Sequence, residues 1–448
     1  MLRDAWTLAI EALSWMEMRN LSERLALGRT VKQLGIADPN TTRLAHMLVC
    51  ETVRRRNFID CFINHAITPD KVVEQDLGVQ AFLRLYVYQT RVAKNWSKPD
   101  IQGAENIAGL GRAILGWKAL WKVEPVLGLL LTQKPSVVFE GASDERRIGL
   151  QTFHPTWFVK YCFRLLGRRE AIRMLEADRG QAPIYLRLNT LKAEEGAALE
   201  RLVEAGVKLE KVEGLKHAYR VVGTRQPLTS TTPFQEGLFY IQDKASCFAA
   251  EAANPQPGAT VLDVCAAPGA KTTYLAQLMQ NKGIIYSIDY SRRRTSVWKT
   301  EVTHMGAQIA EPVIADARVP LSLMLEADVV ILDPPCTSTG TFRKLPSAKW
   351  RIRPRSIDKM ATFQRQMLDS LTENVKPNGM LVYSTCSITV EENEMIIERF
   401  LKLHPEFTLI AVTPKIGLPG LRGLNKCQRL YSHVHDCNGF FMAKMQKK

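Results

Sequence analysis

From about Gly237 onward, short β-branched apolar runs alternate with helix-period segments, and this alternation constrains the fold more than any other feature. TVLDVC leads through the small-residue turn AAPGA into the helical pattern KTTYLAQLMQNKG, and IIYSID, PVIADA and DVVILDPP repeat the strand signal. SIDKMATFQRQMLDSLTENV reads as a helix, NGMLVYSTCS as a strand, VEENEMIIERFLKLH as a helix, and FTLIAV and GFFMAKM as two last strands. Short buried strands joined by helical crossovers predict a doubly wound α/β sheet, with ligands at the carboxyl ends of its strands. In the first helix Leu275, Leu278 and Met279 share a face, and Gly283 is expected to end it.

The rest of the 448 residues is built differently, and that length fits two or three domains. Residues 1–140 carry helix-period apolar positions, with Asp38-Pro39-Asn40-Thr41 as a turn and cap, and predict an all-α domain. Gly141 to Gln151 turns polar and reads as a linker. Residues 152–232 run helix, helix, strand (IYLRLNT), helix and the strand-like alternation VKLEKVEGLKHAYRVV, which predicts a small α+β RNA-binding module, followed by the α/β domain at 233–448. Hydrophobic residues at 46% and charged residues at 23% exclude wholesale disorder. The apolar run Val126 to Leu131 is far short of the ~20 residues that span a bilayer, so no membrane partner is expected. MLRDAWTLAIEALSW mixes charge into its first turns, unlike a signal peptide. Nine scattered cysteines predict reduced thiols and a cytoplasmic setting. A net charge of +15 points to a polyanion, most readily nucleic acid. Arg54 to Arg56 allow two readings, phosphate contact or a solvated helix face.

The chemistry gathers at the strand ends. In Asp263-Val-Cys-Ala-Ala-Pro-Gly-Ala-Lys271 a turn of small residues lets backbone N–H groups approach a ligand at a helix N-terminus. It has neither G-x-G-x-x-G nor the phosphate-loop lysine spacing, which weakens dinucleotide and triphosphate readings. Asp289 closes the second strand, where a carboxylate can bind ribose hydroxyls; Asp316 closes the third, within reach of an adenine amino group; Asp333 closes the fourth. Three acids at successive strand ends describe a nucleoside pocket, and S-adenosylmethionine fits a site without phosphate-binding lysines.

Asp333-Pro-Pro-Cys336 has Cys where adenine amino methyltransferases carry an aromatic residue, and a second Cys ends the fifth strand in Tyr383-Ser-Thr-Cys386-Ser. A metal site, a disulfide and nucleophilic chemistry are the three explanations for such a pair. The zinc reading lacks paired ligands at the usual spacing, and the disulfide reading suits a different compartment. The nucleophilic reading has a chemical reason: carbon 5 of a pyrimidine becomes reactive once a thiolate adds to carbon 6. A thiol needs local charge to favour its thiolate, and Lys271 with the basic run Arg343 to Arg351 are the candidates to supply it.

On these residues the chain is similar to the RsmB/Nop2/Sun family of RNA cytosine-C5 methyltransferases. DVCAAPGAKT resembles the family's cofactor loop, DPPCTSTG the motif with its first Cys, and YSTCS the motif with its nucleophilic Cys. GLFYIQDKAS, PIYLRLNTLK and HVHDCNGFFMAK resemble further family motifs, and the likeness runs from about His154 to the end. Residues 1–140 resemble the NusB-type helical RNA-binding domain that some members carry. The resemblance implies a class I, Rossmann-like methyltransferase domain that uses S-adenosyl-L-methionine on structured RNA, with rRNA favoured over tRNA. It implies Cys386 as nucleophile, Cys336 in proton removal or product release, and Asp333 between the cofactor and the target base. Cys265, Ala266, Ala267, Pro268, Gly269, Ala270, Lys271, Asp289, Arg294, Asp316 and Asp333 would bind the cofactor. Ala270 stands where the family usually has a second Gly, and Pro335 where many members have Ala. No metal is expected, because His435 to Phe441 fit the family motif better than Cys427, His433, His435 and Cys437 fit a zinc site. An amino methyltransferase and a non-catalytic RNA-binding factor are the competing functions. Cys50, Cys61, Cys162 and Cys247 are expected in the core, as are Trp6, Trp15, Trp117 and Trp121 in core or interdomain packing. Arg187 and Asn189 either face RNA or order their strand.

Overall fold

In a computed structural model, which describes residues 1–321 and 325–448, Asp38 accepts hydrogen bonds from the Thr41 amide (2.8 Å) and hydroxyl (2.6 Å). The helix Pro39–Arg54 therefore starts where the capping chemistry places it. It belongs to a helical unit made of Met1–Gly180 together with Phe342–Ile352. Trp6, Phe62 and Phe82 anchor the core of that unit. The polar stretch after Gly141 is not a linker: Ser143 caps a helix, Asp144–Thr152, whose Ile148 and Leu150 are buried. Its polar residues are the solvent face of that helix. The next helix, Thr156–Ala177, breaks at Gly167 (φ 74°), as the two-helix pattern requires.

Two other expectations for this unit fail. Arg54 is buried, and its guanidinium is spent on Glu51, the Asp178 carbonyl and the Arg343 carbonyl (2.9 Å). Arg55 pairs with Glu51, and Arg56 with Glu17 and Asp60. The triplet thus forms an internal ion network and is neither a phosphate clamp nor a solvated face. Trp117 and Trp121 are 60% and 56% exposed, so they are not core anchors; Trp6 is. Residues Phe342–Ile352 enter the helical unit as a strap. Phe342 packs on Phe158 (ring centroids 4.8 Å apart), and Trp350 Nε1 donates to the Val53 carbonyl at 2.6 Å. Lys349 in that strap is fully buried, and burial followed by the Arg54 charge pushes its pKa down to about 7. It therefore does not supply the charge beside the thiols that the basic run Arg343 to Arg351 was a candidate to supply.

The second unit comprises Gln181–Thr341 and Arg353–Lys448. Its smaller sheet holds β1 (Ile184–Leu188), β2 (Val207–Lys211), β3 (Ala218–Thr224) and β4 (Phe239–Tyr240), antiparallel in the order β2-β3-β1-β4. Arg187 on β1 is completely buried; it donates to Gln277 Oε1 and Thr273 Oγ1, both at 2.9 Å, and lies over the Tyr274 ring. Asn189 donates to the carbonyls of Gly237 and Met305. Both side chains order the fold and do not face RNA.

The larger sheet holds β5 (Thr260–Val264), β6 (Ile284–Asp289), β7 (Ala310–Ile314), β8 (Ala327–Leu332), β9 (Val375–Thr385), β10 (Phe407–Ile410), β11 (Leu418–Pro419), β12 (Gln428–Leu430) and β13 (Phe440–Lys447). Its order is β11-β12-β13-β9-β8-β5-β6-β7, with β10 also on β13. The run β9-β8-β5-β6-β7 is parallel, whereas β13 is antiparallel to β9. The order reverses between β5 and β8, where a doubly wound sheet opens its crevice. Register sets Val264 beside Leu332 and Leu332 beside Tyr383, so the residues that follow these positions converge at one edge. The helix after β5 ends at Leu278, before Gly283; Gln280 and Asn281 take the left-handed conformation, and Gly283 (φ 102°) opens β6 beneath the Ala259 carbonyl. Among the described residues no helix is long and apolar enough to cross a membrane.

Candidate active site

The loop after β5 is shaped by its small residues. Cys265 takes a left-handed φ of 65°, and the Ala266 amide then donates to the Ile288 carbonyl at 3.0 Å. Gly269, at φ 115°, ends the loop and precedes the helix Ala270–Leu278. A Cβ on Gly269 would stand 3.3 Å from Trp298, so both conformation and space favour glycine here. Ala270 is the first helical residue, a position where a methyl group is at ease, which explains how this loop tolerates Ala for Gly. Thr272 donates to Asp263 at 2.5 Å and accepts from Trp298 Nε1 at 3.0 Å, pinning the helix start to β5. Burial pushes the Asp263 carboxyl up to about 6.

Asp289, at the end of β6, turns back to this loop. Its carboxylate accepts from the Ala267 amide at 3.3 Å and the Ser291 amide at 3.1 Å. Arg294 reaches the loop as well, through the Ala267 carbonyl (2.5 Å) and Asp289 (3.3 Å). Asp316 is clasped by Arg318, whose hydrogen bonds hold its carboxyl below the usual range. Asp289 and Asp316 face one cavity of about 320 Å³, walled by Cys265, Ile288, Met360 and Phe363. Apolar walls with two carboxylates suit an adenosine: the slot takes the base, and carboxylate oxygens accept from ribose hydroxyls. The residues present therefore fit S-adenosylmethionine.

The two thiols follow the parallel strands β8 and β9. Cys336 Sγ and Cys386 Sγ are 3.2 Å apart, and both residues stay partly exposed. Ser338 Oγ lies 3.4 Å from Cys386 Sγ. Asp333 is ion-paired with Lys271 and accepts from Ser384 Oγ at 3.1 Å. The hydrogen bond from Cys336 holds the Cys386 thiol below its ordinary pKa against burial and the Asp333 charge, with help from Ser338 and Lys271. The same contact, with burial, pushes Cys336 well up, so Cys386 is the more easily ionised of the two and Cys336 the better proton donor. Burial works against the Lys271 charge, but Asp333 overcomes it and keeps the ammonium protonated. Lys271 is thus the cation in the field of Cys386, whereas Lys349 is packed within the helical unit.

Three residues here were not anticipated. Ser338 and Ser384 lie inside the motifs DPPCTSTG and YSTCS but carry no signal of their own, since serine in a loop is commonplace. Glu392 falls in VEENE, which reads as the exposed start of a helix; the helix begins at Glu394, and Glu392 is fully buried. His435 Nδ1 accepts from the Tyr431 amide at 2.9 Å. Among the described residues no group of three His, Cys, Asp or Glu is arranged to hold a metal. Cys162 and Cys247 are buried, whereas Cys50 and Cys61 are only partly so.

Comparison with known proteins places these features in context. The family model described as 16S rRNA methyltransferase RsmB/F matches residues 250–446. A model described as the ferredoxin-like domain of RsmF/B-like methyltransferases matches residues 154–226. The 25S rRNA (cytosine-C(5))-methyltransferase nop2 of Schizosaccharomyces pombe is 34% identical over 300 residues, which cover 64% of this chain but only 49% of that protein. The probable ribosomal RNA small subunit methyltransferase B of Bacillus subtilis is 29% identical over 451 residues, 98% of each chain. The crystal structure of PH0851 superposes with a TM-score of 0.86 at 30% identity, covering 100% of this chain and 99% of that one.

Proposed function

We propose that this chain, which belongs to the RsmB/Nop2/Sun family of RNA cytosine-C5 methyltransferases, methylates a cytosine of ribosomal RNA through a covalent Cys386 adduct. The observation that carries this reading is the pair of sulfurs 3.2 Å apart beside the Lys271–Asp333 ion pair. Bound S-adenosylmethionine supplies an electrophilic methyl group. The Cys386 thiolate adds to carbon 6 of the cytosine, and the displaced π electrons build up on carbon 5 and N3. A lone carboxylate would oppose that charge. Asp333 is neutralised by Lys271, so it can accept from the 4-amino group while the ammonium offsets the charge on the ring. After transfer the carbon 5 proton is lost to water, the electron pair left behind expels Cys386 as a thiolate, and Cys336, which carries a proton, assists release by donating to the departing sulfur.

Ribosomal RNA is preferred because the relatives named above act on it. The division into a helical RNA-binding domain (1–140), an α+β module (152–232) and a catalytic domain (233–448) goes with this reading. Exposed Trp117 and Trp121, with exposed Lys118 and Lys122 beside them, support RNA contact by the first of these. Wild-type protein should transfer labelled methyl groups to cytosine in purified rRNA, and bisulfite mapping should locate one position that Cys386→Ala leaves unmodified. Full turnover by Cys386→Ala would favour amino-group methylation instead, because that chemistry needs neither thiol.

A further inference from the structure

Cys336 and Cys386 follow different strands, β8 and β9, and one buried side chain ties their loops together. Thr337, next to Cys336, donates its amide to Glu392 Oε1 (2.8 Å) and its hydroxyl to Oε2 (2.5 Å). Ser387, next to Cys386, donates to the same Oε2 at 2.7 Å. Thr389 Oγ1 (2.7 Å) and Gln364 Nε2 (3.0 Å) complete a shell of five donors around a fully buried carboxyl group. An ionised carboxylate is an acceptor only, and this shell matches it. The main chain is fixed too: Tyr383 donates its hydroxyl to the Glu392 carbonyl (2.7 Å), and Asn393 bonds Thr385 (2.6 Å) and the Ser387 carbonyl (2.9 Å). Gln364 donates in addition to the Pro335 carbonyl at 2.9 Å, so the loop is held on both sides of Cys336.

We propose that Glu392 is a positioning residue that holds Cys336 beside Cys386 in the arrangement methyl transfer needs. Resting on the covalent reading above, this assigns to Glu392 no contact with substrate or cofactor. Its effect is exerted through Thr337 and Ser387, which follow the two cysteines directly in the chain. It also places a negative charge near Cys336; after the Cys386 hydrogen bond and burial, that charge is a further cause holding the Cys336 thiol protonated.

Glu392→Gln keeps the size of the side chain and one accepting oxygen but removes the charge, and its amide nitrogen brings two donors into a shell of donors. The readouts are kcat and KM for RNA methylation, and the pH dependence of iodoacetamide alkylation at each thiol, followed by peptide mass spectrometry. In wild-type protein Cys386 should react at lower pH than Cys336. In Glu392→Gln the two profiles should converge and kcat should fall about 10²-fold, the usual effect of a ~1 Å misplacement, with KM changed less than about twofold. If that variant does not fold, Thr337→Val, which deletes one hydroxyl donor next to Cys336, carries the test, with the same convergence and a smaller fall in kcat. A folded variant with wild-type kcat and unchanged alkylation profiles overturns the positioning role. Activity retained in Cys386→Ala overturns the covalent reading instead, whatever Glu392→Gln does.

Discussion

A methyl group added at Gly340 tests how closely the motif DPPCTSTG must meet the C-terminal motif HVHDCNGFF. The Gly340 amide donates to the Cys386 carbonyl at 3.0 Å, and the Gly439 amide donates to the Gly340 carbonyl at 2.8 Å. A Cβ on Gly340 would lie 2.1 Å from the Gly439 carbonyl oxygen and 2.7 Å from its Cα. The obstacle is backbone, which cannot swing aside as a side chain would. Real Cβ atoms keep at least 3.0 Å, so the 2.1 Å approach must open by 0.9 Å or more. Gly340→Ala therefore pushes the Cys336 loop away from its support, with Cys386 tethered to the same backbone. Overpacking of this kind costs about 1–3 kcal/mol, which lowers Tm by roughly 2–12 °C in a unit of this size. A shift near 1 Å at reacting groups costs about 10²-fold in rate. Single-turnover methyl transfer, measured beside thermal unfolding, separates the two effects. A Gly340→Ala protein with wild-type Tm and kcat within about threefold of wild type would refute the claim that this contact sets the thiol geometry.

Lys271→Met leaves the Asp333 carboxylate with Ser384 Oγ as its side-chain donor and should destabilise by about 3 kcal/mol, the low end for a buried pair because Asp333 keeps 30% exposure. Lys271 lowers the Cys386 pKa, so its loss must raise it and move the rising limb of the pH–rate profile to higher pH; an unmoved limb contradicts the assignment. Arg187→Met should leave RNA affinity within about twofold in filter binding while lowering Tm, because the buried Gln277 oxygen loses its donor at about 1–3 kcal/mol. A tenfold loss of affinity at unchanged Tm would return Arg187 to the RNA surface. Trp117→Ala with Trp121→Ala should weaken RNA binding about tenfold or more, as expected for lost base stacking, with the salt slope unchanged because no charge is removed. Wild-type affinity in that double variant would leave these exposed rings without a role in RNA binding.

Most of the catalytic unit was legible because its chemistry is local. The loop from Cys265 to Lys271, the acids after β6, β7 and β8, and the two cysteines each lie within a short motif at a strand end, and parallel register brings strand ends together. What was not legible depends on partners far along the chain. Arg54 to Arg56 look basic in sequence, but Glu17, Glu51 and Asp60 neutralise them in the fold. Lys349 sits in a basic run, yet the strap Phe342–Ile352 leaves the catalytic unit and buries it among the helices. Glu392 looks like one of several exposed acids, and only the meeting of two loops reveals it as an acceptor for five donors. Trp117 and Trp121 show the opposite error: large apolar residues at helical spacing suggest a core, yet both rings face solvent.

The covalent route through Cys386 is tested most directly by removing the thiol beside it. Cys336→Ala, incubated with S-adenosylmethionine and substrate rRNA and then denatured, should retain a protein–RNA complex that survives SDS electrophoresis. The same complex should be absent from Cys386→Ala and from the double variant. Methylated product with no denaturant-resistant complex in Cys336→Ala, or an equal complex in Cys386→Ala, would contradict the assignment of nucleophile and release partner.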